Sequence, residues 1–305
     1  MDEKLILDYD SGRITARLDR GEKALVQNVR IRLLAARRLA LIGETGSGKT
    51  MTALSILRLL PENVYMSGGA LRFCGEELPA GRGIRRLLGA EIVYIPQNGL
   101  EFLNPSRSVR KHLYDSLQKL GVPRRERGKK SLEALRAVGF PQPEEILPKY
   151  PFQLSGGMAQ RVTIALAACS RARLLIADEP TNGLDEAATK QFFRLLDQVF
   201  PEAGKIIITH DIAVASLCDR IQVLCGGKTV ESGPAARVLR GPRHPYTRAL
   251  LAALVENGMQ PSPPLRAAQG PCPFHRRCAH ASDACLAEPP RQTEGETEWW
   301  CVRRD

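Results

Sequence analysis

The stretch GETGSGKT, from Gly43 to Thr50, constrains this chain more than any other. It directly follows an apolar run at 39–42 and precedes a pattern that predicts a helix over 52–60. A glycine-rich loop between a strand and a helix is the arrangement of a phosphate-binding P-loop. Because this context is complete, we disfavour a glycine-rich turn with a chance Lys-Thr. The chain is therefore predicted to bind a nucleoside triphosphate.

Each part of the loop has a predicted task. Glycine adopts positive φ at no steric cost, so the loop can wrap closely around a phosphate. Its N–H groups and the following helix N-terminus form an anion site. Lys49 brings a positive charge to the β- and γ-phosphates, and Thr50 brings a hydroxyl to Mg²⁺. The nucleotide-binding residues predicted here are Gly43, Glu44, Thr45, Gly46, Ser47, Gly48, Lys49 and Thr50.

Polar residues follow three further apolar runs. Asp178 and Glu179 follow the run 174–177, where one carboxylate can hold Mg²⁺ and the next can orient or deprotonate the attacking water. The alternative, an acidic pair that only caps a turn, is disfavoured downstream of a P-loop. His210 follows the run 206–209, where an imidazole can donate a hydrogen bond to charge developing on the γ-phosphate. Gln97 follows the run 92–95, where its amide can bind Mg²⁺ or the lytic water.

A second anion site is predicted at Ser155, Gly156 and Gly157, which precede an apolar helical pattern. Serine is a good helix N-cap, and the glycines let a phosphate approach the helix N-terminus. The economical interpretation is that two ATP molecules are sandwiched between two domains. Each would then be bound by one P-loop and by the partner's Ser-Gly-Gly.

The apolar runs also predict the fold. Short buried strands separated by helical patterns indicate a mostly parallel α/β sheet. Loose alternation in residues 1–35 predicts a small antiparallel sheet, and a charge-rich helical subdomain is predicted at about 98–170. The predicted domains are a nucleotide-binding domain at 1–254 and a linker with a Cys-rich tail at 255–305, whose last 34 residues show no clear helix or strand pattern.

Composition excludes some classes of function. The sequence has no apolar run of about 18 residues and no signal peptide at its start, so we expect a cytosolic or peripheral protein on the inner face of a membrane. The net charge of +11 could suit nucleic acid or anionic lipid. We favour a solvated basic surface, because the densest basic cluster, 124–130, has no interleaved aromatics.

Together these motifs resemble those of ATP-binding-cassette transporter ATPases over about residues 5–305. The resemblance implies that Asp178 is the Walker B aspartate, that Glu179 is the catalytic glutamate and that Gln97 is the Q-loop glutamine. It also implies that Asp185 lies in the D-loop, that His210 is the switch histidine and that the signature includes Ser155, Gly156 and Gly157.

Finer features are similar to the oligopeptide/dipeptide/nickel importer branch. They are Pro96-Gln97 followed by Leu103-Asn104-Pro105, Tyr150-Pro151 before the signature, signature Met158, and His244-Pro245-Tyr246-Thr247. One departure concerns adenine. The branch usually has a stacking aromatic some 27 residues before the P-loop, where this sequence has Ala16, with Tyr9 as the nearest aromatic upstream. Weak base selectivity is therefore expected.

The resemblance implies an ATPase subunit that powers import of a peptide, a metal chelate such as nickel, or a similar solute. The implied partners are two membrane permeases, which dock on the helical subdomain, a second ATPase subunit and an extracytoplasmic solute-binding protein. A soluble ABC-type ATPase acting in translation or DNA repair is the alternative, and the single cassette disfavours it. Intact Glu179 and His210 disfavour an inactive regulatory partner.

Four cysteines cluster near the C-terminus: Cys272, Cys278, Cys285 and Cys301. A short tail poor in apolar residues needs a metal or a covalent staple, and the expected cytosolic location disfavours disulfides. The spacing leaves zinc and an iron–sulfur cluster open, with His275 and His280 as substitute ligands, and unligated thiols as the third alternative. Resemblance to the importer ATPases' tail implies a [4Fe–4S] cluster held by the four cysteines.

Overall fold

The computed structural model describes residues 4–79, 81, 83–97, 99–253 and 271–303. Its contacts divide the chain into two compact units, the first formed by Met1–Leu78 with Ile207–Asp305 and the second by Pro79–Ile206. The predicted linker at 255–271, apart from Pro271, lies outside the described residues.

The strands are β1 Leu5–Asp10, β2 Arg13–Leu18, β3 Gly21–Gln27, β4 Arg30–Leu34, β5 Arg38–Ile42, β6 Val64–Ser67, β7 Ala70–Phe73, β8 Glu76–Glu77, β9 Ile92–Ile95, β10 Leu174–Asp178, β11 Gly204–Ile208, β12 Arg220–Cys225, β13 Lys228–Pro234, β14 Arg291–Glu294 and β15 Thr297–Trp300. The helices are α1 Lys49–Ile56, α2 Ile84–Leu87, α3 Gly99–Phe102, α4 Val109–Lys119, α5 Arg124–Ala137, α6 Pro143–Ile146, α7 Gly156–Ala168, α8 Glu186–Val199, α9 Ile212–Ser216, α10 Ala235–Arg240 and α11 Pro245–Ala252.

Two antiparallel sheets open the first unit, with strand orders β4-β1-β7-β8 and β3-β2-β6. In β4, buried Ile31 and Leu33 alternate with exposed Arg30 and Arg32, as expected for a strand with one face on the core. The predicted antiparallel sheet is therefore confirmed, but it is divided between two sheets. Strands β6 to β8 were not predicted from the sequence.

The first unit also holds the strand order β14-β15-β13-β12-β5. β12 and β5 are parallel, with Ile221 opposite Ala40 and Val223 opposite Ile42. All three residues from Ala40 to Ile42 are fully buried, which is typical of a parallel strand covered on both faces. β5 therefore leads into the P-loop from three fully buried residues.

In the second unit, β9 and β10 are parallel, with Leu174 opposite Ile92 and Ala177 opposite Ile95. The helices α3 to α7 lie within the predicted helical segment, and α7 packs against α3, α4 and α5. α4 buries Val109, Leu113 and Leu117, whose spacing of four residues places them on one helical face. No helix among the described residues is both long enough and apolar enough to cross a membrane.

Two predictions of secondary structure were wrong in detail. The first helix ends at Ile56 rather than at residue 60, because Arg58 takes a left-handed φ of 55° and Pro61 follows. The tail contains a hairpin, β14–β15, which pairs with β13. Its turn includes Gly295 at φ 60°, and a short, highly charged stretch hid the alternation of buried Thr297 and Trp299.

Candidate functional site

The P-loop lies in the first unit, between β5 and α1. Its glycines are required at two positions. A Cβ on Gly43 would lie 2.2 Å from the carbonyl oxygen of Leu224, and Gly48 is the N-cap of α1 with φ 100°. Any other residue would therefore clash at Gly43 or strain the backbone at Gly48. The structure thus gives a physical reason for two of the three glycines of the predicted motif.

Lys49 is buried, at 8% exposure, and points back into the loop. Its Nζ donates hydrogen bonds to the carbonyl oxygens of Gly43 at 2.7 Å and Glu44 at 3.0 Å. Ser47 Oγ is buried and has no hydrogen-bond partner among the described residues. A buried hydroxyl without a partner is costly, so the loop is suited to an additional polar group. Thr50 is exposed at the start of α1.

Glu44 is held by two residues that were not predicted to belong to the site. Its backbone N–H donates to Tyr246 Oη at 2.9 Å. Its carboxylate accepts two hydrogen bonds from Arg277, each 2.7 Å long. The guanidinium hydrogen bonds hold the pKa of the Glu44 carboxyl below its usual range. Only the His-Pro-Tyr-Thr motif around Tyr246 gave any signal in the sequence.

His210 lies in the first unit and is exposed. The preceding residue, Thr209, donates its N–H to the carbonyl oxygen of Leu41 in β5 at 3.2 Å. This contact places His210 beside the strand that leads into the P-loop. Asp211 caps α9, because its carboxylate accepts the N–H of Ala213 at 2.8 Å.

Asp178 ends β10 in the second unit and is 7% exposed. Tyr94 on the neighbouring strand donates its hydroxyl to Asp178 Oδ2 at 3.2 Å. Burial, reinforced by the negative charge of Asp178, raises the pKa of the Tyr94 phenol. Tyr94 therefore stays protonated and orients the carboxylate. Sequence reasoning missed this residue, although it lies only three positions before Gln97, which is exposed.

Glu179 has the left-handed φ of 46°, which is uncommon for a residue with a Cβ. Its neighbour Pro180 accepts a hydrogen bond from the side chain of Gln160 in α7, so the turn is tied to the helix that begins at the signature. Backbone strain of this kind persists only where the surroundings impose it, and it is concentrated at functional sites.

The signature residues are exposed at the N-terminus of α7. Ser155 is the N-cap, and its Oγ accepts the N–H of Met158 at 3.2 Å. A Cβ on Gly156 or Gly157 would meet no atom within 4 Å, so neither glycine is required by packing within the described residues. Asp185 caps α8 by accepting the N–H of Ala188 at 2.7 Å. Its carboxylate thus has a structural task within this chain.

The four tail cysteines line one small cavity in the first unit, of about 20 Å³, together with His244, His275 and His280. Room of this size suits one water molecule. Burial raises the pKa of the Cys272 thiol to about 11 and lowers the pKa of His244 to about 4. His275 Nδ1 is buried and has no hydrogen-bond partner in the described part of the chain.

These donors are of the types that zinc and iron–sulfur clusters take. None of the eight cysteines forms a disulfide. However, no group of three or more His, Cys, Asp or Glu side chains among the described residues is arranged to hold a metal ion. The structure therefore brings the predicted cysteines to one cavity but not to ligand geometry.

The two residues considered for adenine stacking are unsuited to it. Tyr9 is 1% exposed, and its hydroxyl bonds with Ser55 Oγ at 2.6 Å. Burial raises the pKa of this phenol to about 12. Ala16 is 5% exposed within β2 and has no ring.

A strand, a P-loop and a helix in this order, with a strand-ending carboxylate and a second glycine-bearing helix N-terminus, define a cassette-type P-loop ATPase. Comparison with known families agrees. The chain belongs to the ABC transporter family, whose model matches residues 26–182. A second model, described as the oligopeptide/dipeptide transporter C-terminal region, matches residues 230–285. The predicted fold class and family are thereby confirmed.

Curated relatives align over nearly the whole chain. The probable D,D-dipeptide transport ATP-binding protein DdpD of Escherichia coli is 36% identical over 92% of this chain and 91% of its own length. The oligopeptide transport ATP-binding protein OppD of Salmonella typhimurium is 37% identical over 94% of this chain and 90% of its own length.

Solved structures share the fold. The dimeric ATP-binding cassette MJ0796 in a post-hydrolysis state, bound to ADP and Pi, has a TM-score of 0.66 and 22% identity, and covers 75% of this chain and 99% of that one. An ATP-binding subunit of an ABC transporter has a TM-score of 0.64 and 25% identity, and covers 82% of this chain and 99% of that one.

Proposed function

We propose that this chain is the ATP-hydrolysing subunit of a bacterial peptide importer. One observation carries the proposal: a complete cassette motif set is joined in one chain to the oligopeptide/dipeptide transporter C-terminal region. Relatives that share this combination over about nine-tenths of their length are named as dipeptide or oligopeptide transport ATP-binding proteins. Metal chelates, nickel among them, remain a second class of cargo for this branch.

In the proposed mechanism the P-loop binds the phosphates of ATP. Lys49 leaves its loop carbonyls for the β- and γ-phosphates, and Ser47 offers its buried hydroxyl. Thr50, Gln97 and Asp178 would hold Mg²⁺, which neutralises charge on the phosphates when bound. Their oxygens are the hard ligands this ion prefers.

Glu179 positions or deprotonates the attacking water, and His210 donates a hydrogen bond to the γ-phosphate as charge develops there. The exposed signature, Ser155 to Gly157, serves the nucleotide of a second ATPase subunit, with Asp185 in the adjoining D-loop. Hydrolysis would then require two cassettes, of this chain or of a paralogue.

The proposed assembly places the chain peripherally on the cytoplasmic face of the inner membrane. Two permease subunits would dock on the helical segment at about 98–170, within a nucleotide-binding domain at 1–254. A solute-binding protein would deliver cargo from outside. No nucleic acid takes part.

The experiment is copurification followed by transport. A tagged chain should bring down two permeases, and the complex in proteoliposomes should show ATPase activity stimulated by peptide and binding protein. Glu179→Gln should lower turnover about 10²–10⁴-fold, the usual contribution of a general base. Glu202→Gln, the same change at an exposed turn, is the control. A complex without permeases, or normal turnover in Glu179→Gln, would refute the proposal.

For the tail we propose that Cys272, Cys278, Cys285 and Cys301 hold a [4Fe–4S] cluster. The shared cavity, the unpartnered nitrogen of His275 and the soft sulfur donors support a metal. Binding would require the sulfurs to approach one another and to lose their protons. Zinc is the second candidate, because cysteine thiolates and histidine nitrogens are also its usual ligands.

Elemental analysis of anaerobically purified protein distinguishes the [4Fe–4S] cluster from zinc. Brown protein with stoichiometric iron and sulfide supports the cluster, and colourless protein with one zinc supports the alternative. Metal-free protein with freely titratable thiols would refute both.

A further inference from the structure

An ion pair, Arg277–Glu44, joins the Cys-rich tail to the P-loop. We infer that this pair couples the tail to the nucleotide site, with Arg277 acting as a positioning residue for the P-loop. The inference needs the P-loop to bind ATP, and it does not depend on what the four cysteines hold.

Geometry is the first support. Glu44 is the second residue of the P-loop, and its two carboxylate oxygens each accept a hydrogen bond of 2.7 Å from a different nitrogen of Arg277. Forked pairs of this kind fix orientation as well as distance. The side chains are 21% exposed at Arg277 and 42% exposed at Glu44, so the pair is partly shielded from water.

The connection continues from Glu44 to Lys49 within the P-loop. The carbonyl oxygen of Glu44 accepts a hydrogen bond from Lys49 Nζ at 3.0 Å. The orientation of Glu44 therefore influences where Lys49 rests before ATP arrives. If the tail shifted the carboxylate of Glu44, Lys49, which is to bind the phosphates, would also shift.

The other end of the pair is anchored among the cysteines. Arg277 directly precedes Cys278, and its guanidinium lies 5.3 Å from the ring centroid of Phe274. Phe274 is 2% exposed and packs edge-on against Tyr246, whose hydroxyl also accepts the N–H of Glu44. The short turn between Cys272 and Cys278 thus holds the side chain of Glu44 directly, and it packs against Tyr246, which holds the backbone of Glu44.

A second contact runs in parallel. Pro273 lies against Gly226, where a Cβ would approach it to 2.8 Å. Gly227, the next residue, donates its N–H to the carbonyl oxygen of Ser47 in the P-loop at 3.0 Å. The tail turn therefore also reaches the loop indirectly, through the backbone of Gly226 and Gly227, whereas the ion pair is a direct contact between side chains.

Charge explains why the pair matters for ATP. Without Arg277, the carboxylate of Glu44 would present an uncompensated negative charge beside the polyphosphate. Removing the arginine should therefore weaken ATP binding, and removing the carboxylate as well should restore part of the lost affinity. Thermodynamic linkage also works in reverse, so bound nucleotide must change the stability of the tail turn by the same factor.

The experiment measures both directions on the full-length chain with a non-hydrolysable ATP analogue. Arg277→Gln should raise the Kd about 3- to 10-fold, as expected for a partly exposed charge pair. Adding Glu44→Gln to Arg277→Gln should lower the Kd again, because it removes the carboxylate that the arginine no longer balances. Hydrogen exchange at residues 275–278 should slow with nucleotide in the wild type, and this slowing should disappear in both variants.

Arg291→Gln is the matched control, because Arg291 forms a similarly forked pair with Glu298 in the same tail. If Arg277→Gln fails to fold, Arg277→Lys serves instead, since it keeps the charge but cannot form the fork. This variant should bind nucleotide nearly normally and lose the slowed exchange. A Kd or an exchange pattern in Arg277→Gln equal to that of Arg291→Gln would overturn the inference.

Discussion

The left-handed backbone of Glu179 makes a prediction about stability that is separate from its chemistry. At most positions alanine is more stable than glycine, because glycine loses more conformational freedom on folding. At φ 46° the preference should reverse, since alanine keeps the steric conflict and glycine has none. We therefore expect Glu179→Gly to be more stable than Glu179→Ala.

The magnitude follows from two opposing terms. The left-handed conformation costs a residue with a Cβ about 1–2 kcal/mol. Glycine avoids this cost, but its larger loss of conformational entropy on folding offsets about 0.5–1 kcal/mol of the advantage. The difference should be about 0.5–1 kcal/mol in favour of glycine, which corresponds to about 1–3 °C in Tm for a chain of this size.

Differential scanning calorimetry of the two variants measures this difference. Both lack the carboxylate, so both should lose turnover equally, and the catalytic loss cannot explain a stability difference. Lys190, exposed within α8, provides the control pair. There Lys190→Gly should be less stable than Lys190→Ala by about 1 kcal/mol. A lower Tm for Glu179→Gly than for Glu179→Ala would show that the backbone is not strained at this residue.

Three further predictions concern the assembly of two cassettes, the selectivity for the nucleotide base and the role of Tyr94. The isolated chain should be mostly monomeric with weak ATPase activity, and Glu179→Gln with ATP should dimerise, which light scattering detects; a monomer with full activity would contradict the sandwich of two cassettes. ATP and GTP should bind with affinities within about 10-fold, because stacking on an aromatic is worth about 1–3 kcal/mol per base and neither Tyr9 nor Ala16 offers an exposed ring; a larger preference in competition binding would reveal another adenine contact. Tyr94→Phe should lower Mg²⁺-dependent turnover about 10- to 100-fold, since it removes one hydrogen bond to a charged group; an unchanged dependence of turnover on Mg²⁺ would show that Tyr94 does not act on the site.

The elements of this fold that were predictable are those with local signals. A continuous apolar run forms the strand that precedes each of three motif positions, the P-loop, Gln97 and Asp178. The motif residues therefore stand at the ends of recognisable strands. The tail hairpin was not predictable in this way, because its alternation spans only the four residues of β15, TEWW. Its burial depends on pairing with β13, which no local pattern records.

The residues of the site also divide into those with a local sequence signal and those without one. Glycines of the P-loop and the N-cap Ser155 were recognisable because their tasks depend on neighbours in sequence. The partners of Glu44 were not, since Arg277 lies 233 residues away. Equally, the residue type of Glu179 gave no sign of its left-handed φ.

The tail hairpin also has a consequence for the solubility of the chain. β15 covers the hydrogen-bonding edge of β13, pairing Trp299 with Glu231, while the sheet now ends at β14. β14 is short and polar, with the sequence RQTE, and such an edge discourages the addition of further strands. A chain ending at residue 253 would instead expose the edge of β13, which is mostly buried here and would become a template for intermolecular pairing. The hairpin therefore protects the cassette from edge-to-edge aggregation.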